Sequence, residues 1–210
     1  MTRPIALAVV LVAMFPADGT AHRLDEYLQA ARVALTPNSI RLELDLTPGA
    51  NIAQSLVNRI DLDRDGRFSP EEAEVYARVV LREIGVWLDG ASLDLGLQHV
   101  EVSTPEELLD GVGTLSIVAT TAVVSPPALH QLTLRNSHDT ARGVYLMNAL
   151  VPKSKDVIIT AQARDGRQQE FRVEYEVRSS AAQLWWILAA CGSLGTLGAR
   201  RLSTRPISSK

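Results

Sequence analysis

Arg41-Leu42-Glu43-Leu44-Asp45-Leu46 alternates strictly between charged and aliphatic side chains. Successive side chains of an extended chain point to opposite faces, so this stretch carries one apolar and one charged face and predicts a half-buried strand. Phe171, Val173, Tyr175 and Val177 alternate in the same way with Arg172, Glu174, Glu176 and Arg178, and weaker alternation runs through 114–119 and 131–135. Residues 144–151 form an apolar run closed by Pro152, which predicts a strand buried on both faces. Turn residues separate these runs: Thr36-Pro37-Asn38-Ser39, Asp89-Gly90 and Asp165-Gly166. The two Asp-Gly pairs are suited to the positive φ of tight hairpins. Short strands at this spacing predict an α+β, mainly β domain of sandwich-like architecture.

Residues 51–85 break the period of two. Ile52, Leu56, Val57 and Ile60 recur at helical spacing, as do Val75, Tyr76, Val79, Val80 and Ile84. Between the two runs lies Asp61-Leu62-Asp63-Arg64-Asp65-Gly66-Arg67-Phe68-Ser69-Pro70-Glu71-Glu72. A calcium ion takes six to eight oxygens at ~2.3–2.6 Å in flexible geometry, and a loop of this length supplies them from fixed positions. Asp61, Asp63 and Asp65 stand at positions 1, 3 and 5, and Gly66 provides the sharp turn at position 6. Arg67 offers its backbone carbonyl at position 7, Ser69 can hold a water at position 9, and Glu72 can bind through both oxygens at position 12. Ser69-Pro70-Glu71-Glu72 is also a capping box with proline in the first helical turn, and the two roles coincide. The competing reading is a solvated acidic turn neutralised by Arg59, Arg64 and Arg67. Magnesium fits less well, because it demands near-octahedral geometry.

Over 51–85 the chain resembles the EF-hand family, and the resemblance implies calcium as cofactor with Asp61, Asp63, Asp65, Arg67 and Glu72 as ligands. EF-hand loops usually come in pairs, and no second loop is visible here, since 100–110 has acids without the spacing or the glycine. The affinity expected of a lone site is therefore weak, about 10⁻⁴–10⁻³ M, unless two molecules pair their loops. A second resemblance covers Ala21-His22-Arg23-Leu24-Asp25-Glu26-Tyr27, Leu44-Asp45-Leu46-Thr47-Pro48-Gly49 and Val144-Tyr145-Leu146-Met147-Asn148-Ala149-Leu150-Val151-Pro152. These segments are similar to uncharacterised bacterial exported proteins, some related to the extracytoplasmic part of HupE/UreJ-type metal permeases. That resemblance implies a bacterial envelope protein associated with metal transport and assigns no activity.

The two ends read as targeting segments. Residues 1–21 have a positive start, a short apolar core and small residues at Gly19 and Ala21, as a signal peptide does. Residues 181–199 carry no charge, and nineteen residues at a helical rise span about 28 Å, enough for one membrane crossing. Arg200, Arg201, Arg205 and Lys210 follow, so the tail 200–210 is expected inside and 22–180 outside. The expected location is thus the inner membrane, single-pass, with the main domain periplasmic.

Composition removes other classes. A net charge of −3 with no basic stripe argues against nucleic acid. Cys191 is the only cysteine, so no intrachain disulfide is available. No nucleophile elbow, zinc-protease helix or P-loop occurs, and the chain is read as a non-enzyme. Two alternatives remain open. One is an accessory subunit of a metal uptake system, with His22 and His138 handling the ion. The other is an enzyme without a recognisable motif.

Overall fold

The structure is a computed structural model that describes residues 24–179. The expected signal peptide, His22, the apolar segment 181–199 and the basic tail lie outside these residues. Among the described residues, no helix is long and apolar enough to cross a membrane.

The domain is mainly β, with two five-stranded sheets. The first contains β1 (Tyr27–Leu35), β2 (Ser39–Pro48), β5 (Gly96–Val102), β6 (Leu115–Ala122) and β8 (Gly143–Ala149), in the order β5-β6-β2-β1-β8. The second contains β3 (Ile84–Leu88), β4 (Ala91–Leu93), β7 (Leu129–Asn136), β9 (Val157–Arg164) and β10 (Glu170–Val177), in the order β4-β3-β7-β10-β9. All neighbours are antiparallel except β1 and β8, which run parallel with Tyr27 opposite Gly143.

Alternation decides which face is covered. Ile40, Leu42, Leu44 and Leu46 are buried on β2, while Arg41, Glu43 and Asp45 stay outside and pair with one another and Arg32. Phe171, Val173, Tyr175 and Val177 do the same on β10. These rows meet in a single hydrophobic core that includes side chains from both sheets and from the helices. The described residues leave no buried side-chain nitrogen or oxygen without a partner.

The apolar run at 144–151 behaves differently from its expected double burial. Tyr145 and Met147 are buried, but Val144 and Leu146 are exposed. The reason is position: β8 is an edge strand, and only its inner face meets the core. The Asp89-Gly90 pair makes the expected tight hairpin, with φ of 50° and 84° between paired Leu88 and Ala91. Asp165-Gly166 does not. There the turn is wider, Gln168 carries the positive φ of 56°, and the Asp165 carboxylate holds the loop by accepting from the Glu170 and Arg167 N–H groups.

Candidate functional site

The acidic loop is held between α1 (Ala50–Ile60) and α2 (Pro70–Arg82). On α1, Ala53, Leu56, Val57 and Ile60 fall on one face and are buried. The helix stops at Asp61, whose N–H still donates to the Val57 carbonyl at 2.9 Å. On α2, Ala73, Tyr76, Ala77, Val80 and Leu81 are buried, and Pro70 presets the first turn. Both helices therefore pack against the core and leave the loop between them at the surface. A short third helix, α3 (Pro105–Leu109), lies beside α1. Its Thr104-Pro105-Glu106-Glu107 start repeats the form of Ser69-Pro70-Glu71-Glu72, and both make full capping boxes.

The loop curls by a dense set of backbone donors. Asp61 Oδ1 accepts from Asp65 N–H at 3.2 Å and Oδ2 from Gly66 N–H at 3.1 Å. Asp63 accepts from Asp65 N–H at 3.1 Å, and Asp65 from Arg67 N–H at 2.8 Å. Gly66 sits at φ +82°, a left-handed conformation that favours glycine, with open space around it. The outcome is convergence: one carboxylate oxygen from each of Asp61, Asp63 and Asp65 lies within 4.8 Å of the others.

Glu72 stands outside that group of three. Its Oε1 accepts from Leu62 N–H at 2.6 Å and from Asp63 N–H at 3.3 Å. Its Oε2 accepts from Ser69 N–H at 2.9 Å and from the Ser69 hydroxyl at 2.8 Å. The backbone and hydroxyl donors of Ser69, followed by Leu62 N–H, lower the Glu72 pKa to about 2. Glu72 thus links the start of α2 to the residues that follow α1. Among the described residues the Arg67 side chain makes no ion pair with a carboxylate, and its carbonyl is the group the loop pattern requires.

The acidic turn neutralised by arginines is not what the geometry provides. Among the described residues, no ion pair joins Arg59, Arg64 or Arg67 to a loop carboxylate. Arg59 instead approaches Asp139 at 3.9 Å. Three carboxylates are thereby brought together without a protein cation among them. Like charges held this close repel one another, and a bound cation reverses the sign of that energy.

Beneath α2 lies a polar network that no local sequence pattern announces. His138 is buried, with Nδ1 at 2.6 Å from Glu83 Oε2 and Nε2 at 3.2 Å from Tyr76 Oη. Its carbonyl accepts from Gln29 Nε2 and from the Tyr145 hydroxyl, at 2.8 and 2.9 Å. Asn136 bonds to both Gln29 and the His138 N–H. Tyr27 Oη lies 3.5 Å from Tyr76 Oη, and burial pushes both phenol pKa values up. In the sequence His138 reads as a loop residue, but the fold engages both its ring nitrogens internally, which removes it as an exposed metal donor. His130 is likewise occupied: Nδ1 meets Asp89 at 2.7 Å and Nε2 meets the Pro126 carbonyl at 2.8 Å. Its Nε2 is therefore not directed at a nucleophile, as base catalysis would require. His99 is exposed on β5.

No protein-family model matches the chain, and no curated protein matches it.

Proposed function

We propose that residues 61–72 form a single EF-hand-type calcium site that braces α1 and α2 on a sandwich-like domain, which residues 181–199 tether to a membrane. The observation that carries this reading is the convergence of Asp61, Asp63 and Asp65 within 4.8 Å with no ion-paired arginine. The side chains present fit a hard divalent ion: carboxylate oxygens, a backbone carbonyl at Arg67 and a carboxylate at Glu72, with no nitrogen or sulfur donor among them. A bound cation would screen the three aspartates and tie the end of α1 to the start of α2. Its role in this reading is structural, since a weak extracellular-type site stays filled at millimolar calcium.

The test is calorimetric titration of the full chain, held in lipid nanodiscs, with calcium. One ion per chain is expected, with a dissociation constant of about 10⁻⁴–10⁻³ M. Glu72→Gln should abolish it. The absence of any calcium-dependent heat or melting change at millimolar ion would overturn the reading. An affinity that rises with protein concentration would instead indicate two molecules pairing their loops.

A further inference from the structure

One end of the domain combines three features that the calcium reading leaves unused. The first is where the chain leaves. β10 ends at Val177, and residues 178–180 alone separate it from the uncharged segment 181–199. Three extended residues reach about 10 Å, close to the ~8 Å screening length at physiological salt. If the segment is in a bilayer, this end of the domain cannot leave the surface.

The second feature is exposed apolar side chains on that same end. Val177 N–H donates to the Ala128 carbonyl, Arg178 N–H to the Asp156 carbonyl, and Ser125 N–H to the Pro37 carbonyl. These bonds gather the β6–β7, β8–β9 and β1–β2 connections around the exit point. On them stand Val124, 90% exposed, and Val151, 89% exposed, and beside them at the start of β7 stands Leu129, 64% exposed. Pro126, Pro127 and Pro152 stiffen the segments that present them. A folded domain gains nothing from three such side chains in water.

The third feature is charge. Lys153 and Lys155 flank this patch, are exposed, and form no ion pair among the described residues. The acids nearby are mostly engaged. Glu176 lies 3.7 Å from Arg178, and Asp89 is bonded to His130, while Asp156, next in sequence to Lys155, forms no ion pair among the described residues. The calcium loop lies at the opposite end. Phe68 borders Val102 and Ser103, and Val102 pairs with Leu115 at the far end of β6 from Ala122.

We propose that the domain docks its exit end onto the anionic headgroup surface of the membrane that holds its C-terminal segment. Val124, Leu129 and Val151 enter the interfacial layer, and Lys153 and Lys155 face lipid phosphates. The proposal rests on the membrane reading of 181–199. It adds an orientation: the calcium loop points away from the bilayer.

The experiment uses the full chain carrying Cys191→Ser, with single cysteines introduced at Val124, Val151 or, as a far-end control, the 75% exposed Val112. Each is labelled with a fluorophore and reconstituted in vesicles of phosphatidylcholine with phosphatidylglycerol, some lipids bearing a nitroxide quencher. Vesicle flotation reports the tether, and quenching reports the docking. Support is flotation with quenching at positions 124 and 151 several-fold above that at 112. Lys153→Gln with Lys155→Gln should then lower the docked-to-free ratio about thirty-fold, the attraction expected of two lysines near an anionic surface. Failure to float sinks both the tether and the docking. Flotation with equal quenching at all three positions overturns the docking and leaves the tether standing. Disulfide-linked dimers formed by the unlabelled position-151 variant, with no lipid quenching of its labelled form, overturn it in favour of a second copy of the chain.

Discussion

Asn136 Nδ2 donates to Gln29 Oε1 at 2.8 Å, and this buried bond joins β7 of one sheet to β1 of the other. Gln29 passes the connection on to the His138 carbonyl, and Asn136 Oδ1 receives the His138 N–H at 2.9 Å. Truncating Asn136 therefore strands two buried groups at once. Leaving buried polar groups unpaired costs about 1–3 kcal/mol each, so Asn136→Ala is expected to lose about 3 kcal/mol. Chemical denaturation, comparing midpoints at unchanged slope, measures this. A loss below that of an ordinary surface substitution would show that water enters and restores the partners.

Calcium should stabilise the whole domain and not only its loop, because Tyr76 on α2 reaches His138 at 3.2 Å. A ligand that binds only the folded state at ten times its dissociation constant adds about 1.4 kcal/mol. Chelation should lower the melting temperature accordingly, in one transition. A melting curve that splits into two steps on chelation would place the helix pair outside the cooperative unit.

Ser69 and Glu72 allow the cap and the ion site to be separated. Ser69→Ala removes the hydroxyl that serves the Glu72 N–H and is expected to cost about 1 kcal/mol already in chelator, where no ion is bound. Glu72→Gln keeps a side chain able to close the capping box but removes the charge, so its cost should appear chiefly with calcium present. The Glu72 pKa is depressed to about 2 from 4.5, so its contribution is fully present above pH 4.5 and is lost as the pH falls toward 2. Melting temperatures measured with calcium and with chelator, for both variants, check the separation.

His130 predicts the opposite pH dependence. Burial lowers its pKa, but the Pro126 carbonyl and the Asp89 carboxylate outweigh burial and raise it above 6.5. Both ring nitrogens face acceptors, which only the doubly protonated ring can satisfy together. A raised histidine pKa gives stability that is complete below 6.5 and is lost as the pH rises through the raised value. For Asp89, burial is again opposed, here by the Gln131 N–H and His130, and the net shift is downward, so its share is lost only in acid below 3.8. Melting temperature should therefore fall as the pH rises above 6.5 and through the raised value, and His130→Gln should flatten that fall. A wild-type profile already flat over this range would contradict it.

The parts of the fold legible in the sequence are those set by neighbours in the chain. The alternation in Arg41 to Leu46, the helical spacing around the loop, and the Asp89-Gly90 hairpin all depend on local geometry. β1 carries no clean alternation in the sequence, because Gln29 is polar yet buried and interrupts the apolar row of Tyr27, Ala31 and Val33. β5 is an edge strand with much of its surface exposed, so it lacks the pattern of a covered one. α3 carried a readable signal, since its cap copies that of α2, but five residues give no helical period. The aspartate cluster follows from the twelve-residue spacing. The engagement of Glu72 by Leu62 and Ser69, and of His138 by Glu83 and Tyr76, depends on packing that sequence spacing does not encode.

The parallel pairing of β1 with β8 sets an order of assembly. Tyr27 to Val33 bond on one side to Gly143 to Ala149, so the first strand of the domain waits for a partner made more than a hundred residues later. A chain that emerges from a ribosome or a translocation pore amino end first exposes that edge throughout its growth. Contacts so distant in sequence also close slowly, because the intervening loop must first be brought together. The domain's most vulnerable moment for strand-to-strand aggregation thus falls before its eighth strand arrives, and substitutions in Gly143–Ala149 should harm yield more than they harm the finished protein.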